Sequence, residues 1–197
     1  MWVRRAAIRP VPAYARVPEH VLARLETDLG RDIAEEDDQS VLDEGLERFE
    51  REQPALAGHM AEIVARHDSE PALGFGYFLM IAVYLAFERA FGAEIDPVSE
   101  LDITAVEEAL RLDEDLRRGD AEEVVESDDV VSMEQPHMLR YVQDHVDAAL
   151  EAHADEVDVD HVHALYRAVL VQILALSYAV RPPTNMPRDL KSDEFSA

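Results

Sequence analysis

The sequence predicts an all-α protein, a single bundle of six or seven helices packed around two apolar central helices. The chain is strongly acidic, yet no charged residue occurs between Leu73 and Phe87 or between Ala168 and Val180. No segment shows the alternation of β-branched residues that indicates a strand. Because a helix that is apolar on every side must be surrounded, Leu73–Phe91 and Val159–Val180 are expected to be neighbours at the centre.

Three amphipathic helices are predicted before the first central helix. Proline favours the first position of a helix and glycine its end, so Pro18 and Gly30 delimit the first one. Ser40 is placed to cap a second helix that runs to Glu52, and Pro54 opens the third. Their apolar positions recur at three- and four-residue spacing: Val21, Leu22, Leu25 and Leu29; Val41, Leu42, Leu46 and Phe49; Leu56, Met60, Ile63 and Val64.

Two more amphipathic helices are predicted between the central ones. Thr104 and Glu107 have the spacing of a capping box, and Gly119 is a natural end for the helix that they would start. Its apolar face is thin, which places it on the outside: Val106, Leu110 and Leu116. The acid-rich segment Asp120–Asp129 is expected to be a connector, after which Pro136 opens the next helix.

The chain contains a repeated triplet that suggests two related helix-pair halves, residues 40–92 and 120–181. Glu52–Gln53–Pro54 recurs 82 positions later as Glu134–Gln135–Pro136. With that offset, further residues fall on identical ones, among them Val64 on Val146, Ala82 on Ala164, Tyr84 on Tyr166 and Ala86 on Ala168. Helix propensity and proline placement can also produce such matches by chance, so both explanations remain open.

The two ends of the chain differ in character from the helical domain, residues 18–181. Residues 1–17 contain arginine but no acid, and Pro10 and Pro12 oppose a regular helix. We expect an extended basic arm that folds back on the acidic body; an arm that binds nucleic acid is the alternative. Residues 182–197 are expected to form a flexible tail.

Composition favours a cytoplasmic protein adapted to high salt. The chain has 43 acidic and 18 basic residues, a formal charge of -25, one lysine (Lys191) and no cysteine. This acidity with few lysines is typical of proteins from salt-loving archaea, while a GC-rich genome would also favour arginine over lysine. Both uncharged runs are shorter than the roughly 20 residues that cross a bilayer, so we expect no membrane insertion.

Four histidines lie among carboxylates near the C-terminal end: His145, His153, His161 and His163. Histidine and carboxylate side chains are ligands for zinc, iron or manganese, so these residues are the candidate metal ligands. Their spacing is poor for one site, because His145 and His153 are two helical turns apart and His161 and His163 point to different sides of a helix. Solvated polar faces are the competing interpretation.

The sequence therefore leaves two functions open. No phosphate-binding glycine loop, nucleophile elbow or His-Glu-x-x-His motif occurs, so no cofactor and no catalytic residue is predicted. The leading hypothesis is a non-enzymatic accessory or regulatory subunit that binds a protein partner or forms a homodimer. The alternative is a metal- or small-ligand-dependent helical enzyme that uses the region His145–His163. The net negative charge argues against nucleic-acid binding.

Overall fold

The computed structural model describes residues 7–35, 41–66, 70–118, 127–153 and 159–184, and these residues form eight α-helices. The helices are Glu19–Glu35 (α1), Val41–Glu52 (α2), Pro54–Val64 (α3), Glu70–Phe91 (α4), Glu100–Arg118 (α5), Ser127–Glu134 (α6), Pro136–His153 (α7) and Val159–Ala179 (α8). Short 3-10 turns occupy Ala13–Ala15 and Gly92–Glu94. Within the described ranges the only β pairing is one antiparallel bridge, between Ile95 and Val180. The predicted all-α class is confirmed.

Helices α4 and α8 form the centre of the bundle. Every residue from Leu79 to Phe87 is buried, and so is every residue from Ala168 to Ser177. Such runs cover all sides of a helix, and α4 accordingly packs against α1, α2, α3 and α8. Full burial of one large apolar side chain contributes about 1.5–3 kcal/mol, so these two helices dominate the core. Their predicted central and neighbouring positions are confirmed.

The two central helices also meet the length and composition expected of a membrane-spanning helix. The segments Ala72–Glu94 and Val162–Ala179 both have a mean hydropathy of 1.4, and 61% of each is buried inside the molecule. Core helices of soluble proteins meet the same criterion when neighbouring helices cover them.

Prolines divide two longer helices into the pairs α2–α3 and α6–α7. Pro54 and Pro136 each lack an N–H and interrupt the helical hydrogen bonding, which bends the chain at the preceding residue. At Gln53 and Gln135 the backbone N–H still donates to the carbonyl four residues earlier, at 2.8 and 2.7 Å. The repeated triplet therefore marks a kink in the same place of both helix pairs.

Gln53 and Gln135 are buried and use their side chains in the same way. The Gln53 side chain accepts a hydrogen bond from the N–H of Val98 at 2.7 Å and donates one to the carbonyl of Asp96 at 3.2 Å. The Gln135 side chain accepts a hydrogen bond from the N–H of Val17 at 3.0 Å and donates one to the carbonyl of Ala15 at 2.8 Å. Each glutamine thus fixes the segment that leads into another helix, α5 for Gln53 and α1 for Gln135.

The tyrosine match at the 82-residue offset does not carry through to the structure. Tyr84 is 1% exposed, whereas Tyr166 is half-buried and accepts a hydrogen bond from Gln143. The reason is length: α3 has 11 residues and α7 has 18, a difference of about two helical turns. The buried runs of α4 and α8 consequently begin at Leu79 and Ala168, which are 89 positions apart.

The described part of the basic N-terminal segment, residues 7–17, packs against the helices. Its apolar side chains join the core: Ile8, Val11, Ala15 and Val17. The Arg9 guanidinium lies 4.2 Å from the ring centre of Tyr178, and Arg16 pairs with Glu134 at 3.4 Å. Residues 1–6 and residues 185–197, most of the predicted tail, lie outside the described residues.

Candidate functional site

Helix α5 begins with a capping box at Ser99 and Asp102. The Asp102 carboxylate accepts from the Ser99 N–H at 3.0 Å and from its hydroxyl at 2.6 Å, while the Asp102 N–H donates to the Ser99 hydroxyl at 3.3 Å. These bonds from Ser99 lower the pKa of Asp102. The predicted box at Thr104 and Glu107 is wrong, because the Thr104 hydroxyl lies inside the helix and donates to the Glu100 carbonyl at 2.9 Å.

Helix α5 has a buried face and an exposed apolar face. The buried face consists of Ile103, Val106, Leu110 and Asp113. Three leucines point outward and are exposed: Leu101 by 82%, Leu112 by 51% and Leu116 by 54%. We call these three residues the leucine row. Leu116 was expected on the buried side, and that assignment is wrong.

The leucine row contains most of the large exposed apolar side chains in the part of the chain that the structure describes. Five large apolar side chains are exposed there, and three belong to this row; the others are Tyr77 and Met133. Sequence reasoning did not select the row, although positions 101, 105, 108, 112 and 116 recur at three- and four-residue spacing. The signal was hidden because the buried stripe of the same helix has the same period.

Carboxylates surround the leucine row. The sequence of α5 contains seven acidic and three basic residues. Exposed Glu108 occupies the row's line between Leu101 and Leu112, and Arg111 is paired with Asp115 at 3.5 Å. The outward face of α5 therefore combines three exposed leucines with a carboxylate, Glu108, on the same line.

A cleft of about 320 Å³ separates α5 from α3. Its polar lining includes three glutamates, one histidine and one threonine: Glu62, Glu100, Glu107, His59 and Thr104. The His59 Nε2 atom is buried without a hydrogen-bond partner and lies 3.6 Å from the Glu107 carboxylate. Gly58 faces open space, since a Cβ atom built there has no neighbour within 4 Å. The cleft extends the negative surface from α5 toward α3.

The sequence-predicted histidine region has a different character. The His145 Nδ1 atom lies 2.8 Å from the Tyr141 carbonyl, and its ring packs on Tyr141 at 4.3 Å and on Phe78 at 5.1 Å. Its Nε2 atom lies 3.6 Å from Glu26 and thereby links α7 to α1. The Tyr141 hydroxyl is buried without a hydrogen-bond partner, and burial raises the pKa of Tyr141. His145 is thus an interhelix packing residue.

The described side chains do not form a metal centre around these histidines. His163 is exposed on α8, and the side chains of His153 and His161 lie outside the description. In the ranges that are described, no group of three or more histidine, cysteine, aspartate or glutamate side chains could hold a metal ion.

Comparison with known proteins does not supply a function. No family model matches the chain, and no curated protein or solved structure matches it. Function has to be inferred from the surfaces of the molecule itself.

Proposed function

We propose that this protein acts by binding another protein, as an accessory or regulatory subunit rather than as an enzyme. The leucine row on α5 is the single observation that carries this proposal. Full burial of an exposed leucine contributes about 1.5–3 kcal/mol, and the half-exposed Leu112 and Leu116 forgo about half of that. A line of such residues, bordered by charged side chains, is typical of a protein interaction site.

The charges beside the leucine row favour a different protein over a second copy of this chain. If two copies paired through the centre of α5 about a two-fold axis, their Glu108 carboxylates would approach each other, and like charges in an interface are unfavourable. A partner with basic side chains meets no such repulsion. The homodimer remains an outcome that experiment must distinguish.

The test requires the partner as a purified protein. Proteins captured from a high-salt lysate are identified by mass spectrometry, purified and recombined with the wild type and with a Leu112→Gln/Leu116→Gln double variant. We expect the double variant to bind at least about tenfold more weakly, because central apolar contacts carry most binding energy. A Tyr77→Gln variant, changed at an exposed residue of α4, should bind like the wild type.

Two results would count against this function. Equal affinity of the double variant and the wild type would remove α5 as the binding surface. A stable dimer of the isolated protein by light scattering, lost in the double variant, would assign the surface to a second copy. Unfolding midpoints of all variants show whether the fold is retained.

A second candidate function, a metal- or ligand-dependent enzyme in the region His145–His163, is supported by one observation. The buried Tyr141 hydroxyl has no hydrogen-bond partner and lies beside His145, which leaves a polar atom that a ligand could satisfy. Elemental analysis of protein purified without chelator or affinity tag tests this candidate. Stoichiometric zinc, iron or manganese that is lost in His145→Ala would replace the binding proposal.

A further inference from the structure

Resting on the proposed function, we infer that the leucine row binds a basic amphipathic helix of the partner. The exposed line of α5 follows positions 101, 105, 108, 112 and 116, at spacings of four, three, four and four residues; the leucine row supplies three of these positions, and Ala105 and Glu108 supply the other two. This is the periodicity with which one helix packs along another, with apolar residues at i, i+3, i+4 and i+7. The 19 residues of α5 span about 28 Å, which matches a partner helix of about five turns.

The leucine row, together with Ala105 and Glu108 on the same line, forms a narrow strip along α5 rather than a flat patch, and we call this strip the seam. Ala105 is exposed between Leu101 and Leu112, and its small side chain leaves a depression in the line. A large apolar side chain of an approaching helix fits such a depression, in the manner of knobs packing into holes. The seam therefore favours a helix over an extended strand, for which α5 has no unpaired sheet edge.

Glu108 determines the charge of the partner. It lies within the seam, so a helix that covers the leucines also removes water from the Glu108 carboxylate. An unpaired carboxylate in an interface is costly, and a guanidinium or ammonium group opposite it restores the lost interaction. Arg111 is already paired with Asp115, and Arg167 is paired with Glu114 at 3.0 Å. No described cationic side chain pairs with Glu108, which favours a cation supplied by the partner.

The neighbouring cleft extends this complementarity. Glu62 and Glu107 line it on the α3 and α5 sides, and their carboxylates add to the negative potential around α5 that attracts a basic partner. The partner helix is thus expected to carry apolar residues along one stripe and basic residues beside it.

Synthetic peptides test the inference independently of the natural partner. One peptide carries leucine at three- and four-residue spacing with flanking arginines; the matched peptide has glutamates in place of the arginines. Fluorescence anisotropy in buffered potassium chloride should show binding of the basic peptide alone. The Leu112→Gln/Leu116→Gln variant should bind it at least about tenfold more weakly.

Two charge-reversal variants distinguish the effect of the Glu108 carboxylate from the effect of the protein's net charge. Glu108→Lys changes the seam, while Glu47→Lys makes the same change of charge at an exposed residue of α2. We expect Glu108→Lys to weaken binding of the basic peptide about tenfold and Glu47→Lys less than about twofold. Equal effects would mean attraction by net charge alone and would overturn the inference.

Three other results would contradict this inference. Equal binding of the acidic peptide would show that the partner is not basic. A natural partner that depends on the leucine row, combined with no binding of the basic peptide, would overturn this inference and leave the proposed function standing. Peptide binding that ignores the leucine substitutions would place the site elsewhere.

Discussion

At the residue scale, two buried glutamine side chains hold the bundle together across long stretches of chain. Gln53 and Gln135 satisfy the N–H groups of Val98 and Val17, which lie just before α5 and α1. A buried backbone donor that loses its partner destabilises a protein by about 1–3 kcal/mol. These amides therefore explain why the Glu-Gln-Pro triplet occurs twice, beyond the helix start that proline alone predicts.

Substitution of each glutamine by methionine keeps the volume of the side chain. It should show which glutamine contributes more to the free energy of unfolding. Gln135 makes a further bond, to the Ser177 hydroxyl at 2.8 Å. We expect Gln135→Met to lower the free energy of unfolding by about 3 kcal/mol and Gln53→Met by about 2 kcal/mol. Urea unfolding in molar potassium chloride measures both, and the reverse order would contradict this assignment.

The buried Tyr84 hydroxyl makes one bond that links stability to pH. It donates to the Glu52 carboxylate at 2.8 Å, and this bond, followed by the one from Arg51, lowers the pKa of Glu52. A carboxyl group with a lowered folded-state pKa contributes stability above its unfolded pKa of about 4.3. That contribution is lost as the pH falls through the lowered value.

Tyr84→Phe removes the hydroxyl and keeps the ring packing on Phe49, whose ring centre is 4.7 Å away. We expect a loss of about 1 kcal/mol at pH 7, at the low end for a charged acceptor because Glu52 is half-exposed. The loss should shrink below about pH 4, where the carboxylate is protonated. NMR titration should show the pKa of Glu52 rising in the variant; an unchanged pKa would show that the hydroxyl does not control it.

At the element scale, helix contacts decide whether a glycine is required. Gly45 of α2 packs on α4, where an added Cβ would lie 2.9 Å from the Ile81 Cγ2 atom and 3.1 Å from the Leu85 methyl carbons. Gly58 of α3 meets no atom within 4 Å. The two glycines occupy helix interiors, so their difference lies in packing alone.

Alanine at these two positions should therefore have opposite effects. Gly58→Ala is expected to stabilise the protein by about 1 kcal/mol through helix propensity. Gly45→Ala should destabilise it by about 1 kcal/mol, because the shifts of Ile81 and Leu85 outweigh the same gain. Thermal melts of both variants suffice, and equal stabilisation would mean that α2 and α4 are less closely packed than described.

The sequence predicted correctly those helices whose residue pattern fits only one structural interpretation. The central helices α4 and α8 were recognisable because an uncharged run leaves no polar face. The start of α5 was mispredicted because Ser99–Asp102 and Thr104–Glu107 fit the same capping pattern, and only the path of the preceding chain distinguishes them. The leucine row was missed since spacing does not say which of two apolar stripes is buried. The glutamine contacts join residues more than 40 positions apart, which no local pattern reports.

At the scale of the whole molecule, the charge of -25 is the dominant property. Repulsion between carboxylates destabilises the folded state in dilute buffer, and molar salt reduces the Debye length to about 3 Å. We propose that the protein functions in a salt-rich cytoplasm. The same screening removes long-range attraction and leaves direct contacts, those of the leucine row and a charge pair at Glu108, as the source of affinity.

Stability should consequently rise steeply with salt. We expect the melting temperature to increase by about 10 °C or more between dilute buffer and molar potassium chloride, equivalent to several kcal/mol for a chain of this size. Circular dichroism at a series of salt concentrations measures it. A flat dependence would remove the proposed adaptation to salt and leave the acidity without that explanation.

The central claim is that this helical protein binds a partner through the outward face of α5. Hydrogen–deuterium exchange of the protein, alone and with its purified partner, tests that claim most directly, because it maps the contact without altering a residue. We predict slower exchange in Glu100–Arg118 and in the adjoining α3, with the already protected cores of α4 and α8 unchanged. Protection confined to α7 and α8 around His145 and His163, with α5 unchanged, would contradict it.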